Sequence, residues 1–394
     1  MDFALDEELR MFQKMFRDFA QNEIAPLAET LDREERPPLE TLKLAAEQGF
    51  LGAPFPEEYG GSEIGTIGYC MMLEELGKVC MSTATIIEVH TSIAAMCIYL
   101  DGTEEQKQSY LEPLALGEKM GSFALTEPAA GSDAAAIQTT AARDGDEYIL
   151  NGNKIWIING SIAETFVVFA KTEPARKQEG GAQGITAFIV EKGTPGFTIG
   201  RNEKMTGLRG VPVTTLFFDD CRVSAANVLG GEEKLNQGFA TAVKAFDYGR
   251  LGVGAICLGV AQGALEAGVQ FACEREQFGV PIALKQAIQN FIADAATEIE
   301  ALRYLVYHTA WMVDQGQEYT KEAAMVKLFG AEMAGRVVNN MLQTHGGYGY
   351  IKDYPIERMY RDVRASRIFE GTSEIQRFVI AADIIGEKGL KIRP

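Results

Sequence analysis

Glu370 stands where a carboxylate could act as a base. It lies in "RIFEGTSEIQRFVI" (367–380), between the apolar Phe369 and the hinge-like Gly371, just ahead of a helical pattern. Ser373 and Gln376 have capping-box spacing, and Ile375, Phe378, Val379 and Ala382 recur with helical period. These residues alone allow two readings. One is a turn glutamate that reaches solvent. The other is a carboxylate in a poorly hydrated cleft, its pKa lifted toward the working range of a general base. Asp247 and Arg250 in "FDYGR" are one helical turn apart, the spacing of a local ion pair as much as of a ligand site. Glu88 interrupts an apolar run, following Ile86–Ile87 and preceding Val89. The economical expectation is a glutamate that turns to solvent or pairs with a neighbour, because an unpaired buried carboxylate is costly.

The rest of the composition removes other chemistries. Six cysteines form no CxxC pair, and three scattered histidines add no metal-ligand spacing, so buried free thiols and a metal-free protein are expected. A net charge of −18 with no basic block argues against nucleic acid or an anionic membrane as the main partner. No apolar run of membrane-spanning length is expected. The acidic, amphipathic start "MDFALDEELRMFQ" is unlike a signal or transit peptide. A cytoplasmic, bacterial-type protein is the expectation, with a processed mitochondrial form as the alternative. There is no GxGxxG after a strand, no phosphate loop, no GxSxG and no HExxH.

At 394 residues the chain is too long for one compact core. Its texture changes twice. Residues 1–120 read as a helical domain. Residues 121–232 carry short β-rich runs such as "EYILNGNKIWIING" and "TFVVFAKTE", bounded by turn residues, and hold the polar loop "TEPARKQEGGAQG". Residues 233–394 return to long helical patterns. This order contradicts a doubly wound α/β sheet.

Five segments, in order, resemble the acyl-CoA dehydrogenase family over essentially the whole chain: "FALTEPAAGSD" (123–133), "WIING" (156–160), "REQFG" (275–279), "QTHGGYG" (343–349) and "FEGTSEIQR" (369–377). The resemblance implies an α+β multidomain fold: an N-terminal helical domain, a middle β-barrel-like domain and a C-terminal four-helix bundle. It implies FAD between the last two. By the same resemblance Phe123, Leu125, Thr126, Gly131 and Ser132 line the flavin and pyrophosphate, with Trp156, Ile157 and Ile158 at the isoalloxazine ring. Arg275, Gln277, Phe278 and Gln286 resemble a cluster that reaches the cofactor across a subunit boundary. Gln343, Gly346 and Gly347 resemble the adenosine end, and Thr372 and Glu374 further FAD contacts. Sheet packing for Trp156 and a surface salt bridge for Arg275 are the bland alternatives. Ser132, Asp247, Arg250 and Gly371 resemble acyl-CoA contacts, and Glu88 falls in the region resembling the acyl-pocket wall.

The implied reaction is α,β-dehydrogenation. Glu370 takes the thioester α-proton, hydride passes from the β-carbon to FAD, and a 2-enoyl-CoA forms. The resemblance further implies electron-transferring flavoprotein as acceptor and a homotetramer. Some relatives carry the base just before the Arg of "FDYGR"; that position is Gly249 here. Two departures stand out. Ile158 replaces a threonine that normally donates toward the flavin, and Glu88 enters the pocket wall. Short-chain members, acting on butyryl-CoA, are the nearest likeness, and Ala84 stands where glutaryl-type relatives carry arginine. A cyclic or polar-substituted acyl-CoA met by Glu88 is the alternative. So are an acyl-CoA oxidase and a catalytically silent binding protein.

Overall fold

The computed structural model describes residues 6–172, 182 and 184–386. Most of the expected polar loop at 172–184 lies outside the described residues.

The first third is helical: α1 (Glu7–Phe19), α2 (Ala25–Glu34), α3 (Leu39–Glu47), α4 (Gly65–Val79), α5 (Met81–Glu88), α6 (Met96–Asp101), α7 (Glu104–Gln106) and α8 (Glu112–Ala115). Asp6 starts α1 by accepting from the Leu9 N–H at 2.8 Å, and a Thr103–Gln106 capping box starts α7. A π-helical stretch, Val89–Ala95, joins α5 to α6, so Glu88 sits where the helix widens.

The middle part holds β1 (Gly121–Ala124), β2 (Thr140–Asp144), β3 (Glu147–Ile158), β4 (Thr165–Lys171), β5 (Ile185–Glu191), β6 (Phe197–Asn202) and β7 (Val213–Ser224). They form one mixed sheet in the order β1-β4-β2-β3-β7-β6, with β5 on the far side of β4. β1 and β4 are parallel; β4–β5, β2–β3, β3–β7 and β6–β7 are antiparallel. "TFVVFA" in β4 is buried on both faces, which explains its unbroken apolar run. Phe166 and Val168 enter a core internal to the sheet, while Val167 and Phe169 join the larger core shared with the helices.

The last part is α9 (Gly238–Glu274), the short hairpin β8 (Glu276–Gln277) and β9 (Val280–Pro281), then α10 (Gln286–Asp314), α11 (Thr320–His345), α12 (Pro355–Val363) and α13 (Ser373–Ile385). α9 packs against α4, α5, α10 and α11, and α13 lies on α11. The glycines of α9 permit this crowding: a Cβ on Gly259 would lie 2.0 Å from the Glu74 carbonyl oxygen, and one on Gly254 equally close to Val326 Cγ1.

Three expectations change. Met81–Asp101 and Gly238–Glu274 are long and apolar enough to cross a membrane by length and composition. Yet 89% and 72% of their apolar windows are buried within the protein, as central core helices are. Cys273 is exposed, whereas the other five thiols are buried. The N-cap of α13 is Thr372, not Ser373: the Thr372 hydroxyl accepts from the Ile375 N–H at 3.3 Å. Gln376 instead turns back onto the preceding loop.

Candidate active site

The loop that carries Glu370 is held from three sides. Gln376 Nε2 donates to the carbonyls of Glu370 and Gly371, each at 3.1 Å. Lys327, fully buried on α11, donates to the same Gly371 carbonyl. Glu370 has φ of +53°, and Gly371 has +88°. A non-glycine residue in the left-handed region is strained, and such strain is retained where the surroundings fix it. It aims the Glu370 carboxyl inward, onto α9.

There it meets a glycine. A Cβ on Gly249 would lie 2.4 Å from Glu370 Oε2 and 2.7 Å from Ile93 Cγ2. Gly249 is therefore the space in which the Glu370 carboxyl rests, and a side chain there would displace it. One turn along, a Cβ on Gly252 would lie 2.9 Å from Glu88 Cγ, and 3.2 Å from both Glu88 Oε1 and Ser92 Oγ. Two glycines on one face of α9 thus seat two carboxyls side by side.

Glu88 does not turn to solvent. It is 0% exposed, and every residue of α5 is buried, so the helix has no wet face to offer it. Apart from each other, and Ser92 beside Glu88, the carboxyl oxygens of Glu88 and Glu370 have no hydrogen-bond partner. Burial pushes the Glu370 carboxyl up to about 7, opposed by contact with Glu88 and by the charges of Lys327 and Arg250. Glu88 is pushed well above the ordinary carboxylate range, first by burial and then by Glu370 itself. The two titrate as a pair, and the pair holds a proton in the neutral range.

Around them the wall is polar. The Tyr69 hydroxyl and Ser92 Oγ are 2.6 Å apart. Tyr248 stacks on Tyr69 with centroids 5.6 Å apart, and its own hydroxyl lacks a partner. Arg250 Nη1 bonds Asp247 Oδ1 at 2.8 Å, and Thr320 donates to Asp247 Oδ2 at 2.6 Å. The Asp247–Arg250 pair is thus local, as its spacing allows, but it is also buried at the edge of the Glu370 site. Asn159 Nδ2 donates to the Ile86 carbonyl at 3.0 Å, tying the end of β3 to the helix that carries Glu88. His90, its pKa lowered by burial to about 4, accepts from the Gly121 N–H at 2.9 Å and reaches the Leu114 carbonyl at 3.1 Å.

The residues read as cofactor contacts fall into two groups. In the first, Phe123 and Leu125 turn their side chains into the core, Phe123 against Phe169 and Phe246. What this segment offers outward is backbone, together with the half-buried Thr126 and the exposed Gly131 and Ser132. The loop is braced by Glu127, which accepts from the Thr139 N–H at 2.9 Å and from Lys154 Nζ at 2.7 Å; Lys154 also donates to the Leu125 carbonyl. Trp156 is 62% exposed with φ of +54°, at the irregularity between Lys154 and Ile157. It is not the sheet-packing aromatic of the bland reading. Ile157 enters the sheet core, and the half-buried Ile158 packs against the larger core while its carbonyl accepts from Ser122 Oγ at 2.6 Å.

The second group surrounds a cleft of about 380 Å³ lined by Arg275, Gln277, Gly346, Gly347, Tyr348 and neighbours. Arg275 lies over the Tyr348 ring at 5.3 Å rather than in a surface salt bridge. Nothing lies within 4 Å of a Cβ built on Gly346 or Gly347, so the backbone is open to close approach. Phe278 is 94% exposed with φ of +57°, and Gln286 and Gln343 are exposed nearby in sequence. Glu374 is exposed in the first turn of α13. No residue of the first group lines this cleft. Exposed amides, glycines and one exposed indole suit a large planar cofactor with a pyrophosphate, and the residues present fit FAD.

Family profiles match all three parts: acyl-CoA dehydrogenase N-terminal domain at residues 6–118, middle domain at 122–221 and C-terminal domain at 236–385. The chain belongs to the acyl-CoA dehydrogenase family. It is 49% identical over 387 residues to acryloyl-CoA reductase (NADH) of Anaerotignum propionicum, covering 98% of this chain and 96% of that one. It is 46% identical to the short-chain specific acyl-CoA dehydrogenase of Clostridium acetobutylicum, over 98% and 100% of the two chains. Among solved structures, butyryl-CoA dehydrogenase from Megasphaera elsdenii superposes with a TM-score of 0.94 at 39% identity, over 98% and 100%. A chain from work on the electron transferring flavoprotein of Acidaminococcus fermentans superposes at 0.95 with 45% identity, over the same shares. The family is FAD-dependent, and this chain is an oxidoreductase of CH–CH bonds with the three-domain fold of that family.

Sequence reasoning did not pick out Lys327, Lys154, Glu127, Tyr69 or Ser92. A signal existed for both lysines. Lys154 shares the alternation of the buried Tyr148 and Leu150 in β3, and Lys327 lies at i+4 from Ala323 and i−4 from Ala331, on the buried face of α11.

Proposed function

We propose that this chain catalyses FAD-dependent α,β-dehydrogenation of an acyl-CoA thioester, with Glu370 as the base that takes the α-proton. The observation that carries this reading is the Glu370 carboxyl: buried, without a hydrogen-bond partner, seated on Gly249 and tuned upward to about 7. A base poised near the working pH combines correct protonation with useful proton affinity. Gly249 leaves no carboxylate at the alternative base position on α9, and its space belongs to Glu370.

Bound FAD supplies the two-electron acceptor for the β-carbon. The chain supplies the rest. Thr126, Gly131 and Ser132 with the backbone of Phe123 and Leu125 would hold flavin and pyrophosphate, and Trp156 with the Ile157–Ile158 backbone would cover the ring. Arg275, Gln277, Phe278, Gln286, Gln343, Gly346 and Gly347 would serve the adenosine end, with Thr372 and Glu374 beside the base. Because the two groups do not share a cleft within one chain, we assign the second to a neighbouring subunit's cofactor, in a homotetramer. Asp247 and Arg250 would orient the CoA moiety, the backbone N–H of Glu370 would meet the thioester carbonyl, and Gly371 would line the substrate. Domain limits of 1–120, 121–232 and 233–394 go with this reading.

Electron-transferring flavoprotein is the proposed acceptor, supported by the likeness to a chain from work on such a flavoprotein. A cytoplasmic setting is proposed with it. For the substrate, a short linear acyl group is the simpler choice, supported by the short-chain and butyryl-CoA relatives. Burial of Glu88 favours a second choice, a cyclic or polar-substituted acyl group. Anaerobic bleaching of the flavin by a panel of acyl-CoAs tests the reading, and reoxidation by the flavoprotein against air separates dehydrogenase from oxidase. A purified protein that lacks flavin, or holds it and is bleached by no acyl-CoA, would refute the proposal.

A further inference from the structure

The side chains packed beside the Glu370 carboxyl are not those of a hydrocarbon wall. An alkyl chain is met best by apolar walls, since a buried polar group left without a partner costs free energy. Here the wall one turn along α9 from Glu370 is the Glu88 carboxyl, followed by Ser92 Oγ, the Tyr69 hydroxyl bonded to it, and the Tyr248 hydroxyl stacked beyond. Glu88 is wholly buried, its carboxyl lies against Glu370 and Ser92, and neither its oxygens nor the Tyr248 hydroxyl makes a well-formed hydrogen bond. These are groups waiting for a ligand atom.

We propose that Glu88, supported by Ser92 and Tyr69, selects the substrate by donating a hydrogen bond to a neutral oxygen on the acyl chain. The proposal rests on the acyl-CoA reading above and narrows its substrate class. Glu370 must reach the α-hydrogen and Glu88 lies one turn of α9 away, so an oxygen met by Glu88 sits at the γ-carbon or beyond, as a hydroxyl, ether or carbonyl. A carboxylate is excluded by charge. The ionisable groups facing Glu88 are Glu370 from the loop before α13 and Tyr69 from α4, while Arg250 from α9 and Lys327 from α11 act on Glu370. Two carboxyls already meet there, and of the nearby cations Lys327 is turned to the Gly371 carbonyl and Arg250 bonds Asp247 through Nη1, so a third acid would add like charge beside Glu88 and Glu370. The tendency of burial and of Glu370 to keep Glu88 protonated supplies the donor.

The test compares near-isosteric pairs on the holoenzyme: γ-hydroxybutyryl-CoA with pentanoyl-CoA, and γ-methoxybutyryl-CoA with hexanoyl-CoA. Flavin bleaching gives kcat/KM, and calorimetry with the corresponding 2-enoyl products gives affinity without turnover. The wild type should favour the oxygenated member of at least one pair, on the order of tenfold in both measures. Glu88→Leu should erase or reverse that preference, whereas Glu88→Gln, whose amide still donates, should keep most of it. If Glu88→Leu loses FAD, the wild-type ratio and Ser92→Ala decide, the latter being expected to reduce the preference. Bleaching by all four esters with no preference for oxygen, or a ratio unchanged in Glu88→Leu, overturns the role of Glu88 alone. Bleaching by none of them, while another acyl-CoA of the panel bleaches the flavin, overturns this proposal alone; bleaching by no acyl-CoA at all overturns the dehydrogenase reading with it.

Discussion

Two buried sites in this chain each contain glutamate, and they are built on opposite principles. Glu127 meets Lys154 at 2.7 Å and accepts backbone N–H groups from Gln138 and Thr139. Although burial pushes its pKa up, these partners hold it below the ordinary carboxylate range. Glu88 is as deep, and Glu370, half-buried as a residue, has both carboxyl oxygens enclosed; the two meet each other, and burial pushes both up. A fully partnered buried carboxylate fixes a structure, here the loop of Gly131 and Ser132. An unpartnered one keeps its proton affinity and its vacant hydrogen-bonding capacity for a ligand. Burial alone therefore does not mark a functional group; burial without partners does.

The sharpest way to break this contrast is to remove one member of the satisfied pair. Glu127→Ala leaves Lys154 buried and uncompensated, and should cost about 3–5 kcal/mol of unfolding free energy in denaturant titration. The pH dependence of stability gives the next largest effect. Glu88 and Glu370 have folded-state pKa values above the unfolded value, so they stabilise the fold most below about 4.5. That contribution is lost as pH rises through the folded values, near 7 for Glu370. Glu127, being lowered, behaves oppositely, and its contribution is lost as pH falls through its folded value. The double variant Glu88→Gln/Glu370→Gln should therefore flatten the decline of stability between about pH 4.5 and 7. An unchanged slope in thermal melts across that window would show that the pair is not protonated as described.

Lys327→Met acts on the same pair more gently. Its amine, lowered by burial to about 8, favours the ionised form of Glu370. Removing it should move the acid limb of the kcat/KM profile to higher pH, with Lys327→Arg intermediate. A loss of rate at all pH values without that shift would leave Lys327 as a loop brace only. The smallest effect is expected for Ile158→Thr. Its added hydroxyl should alter the flavin spectrum or midpoint potential while stability falls by no more than an ordinary point substitution costs, about 0.5–3 kcal/mol. An identical spectrum and potential would make Ile158 plain packing.

The helical, β, helical order was legible because periodicity and turn chemistry are local, and the ordered segments around Phe123, Trp156, Arg275, Gln343 and Phe369 carried the family. Glu88 was noticed for interrupting an apolar run, yet its direction was not legible: α5 is enclosed on every side, and that is set by α4, α9 and the sheet rather than by its own pattern. The cap of α13 was missed by one residue because Thr372 and Ser373 have equal capping chemistry, and only the backbone decides between them. The positive φ angles of Trp156 and Glu370 left no mark in the sequence, since neither residue type favours that region.

The central claim is that Glu370, held near neutrality by burial beside a protonated Glu88, is the base. Anaerobic stopped-flow reduction of the flavin by an acyl-CoA, measured across pH in wild type and Glu370→Gln, tests it most directly. The wild-type rate should rise with pH through an apparent pKa near 7, shifted by bound substrate. The variant should retain FAD and bind acyl-CoA, yet reduce its flavin about two to four orders of magnitude more slowly, with that pH dependence gone. Near-wild-type flavin reduction in Glu370→Gln would contradict the account.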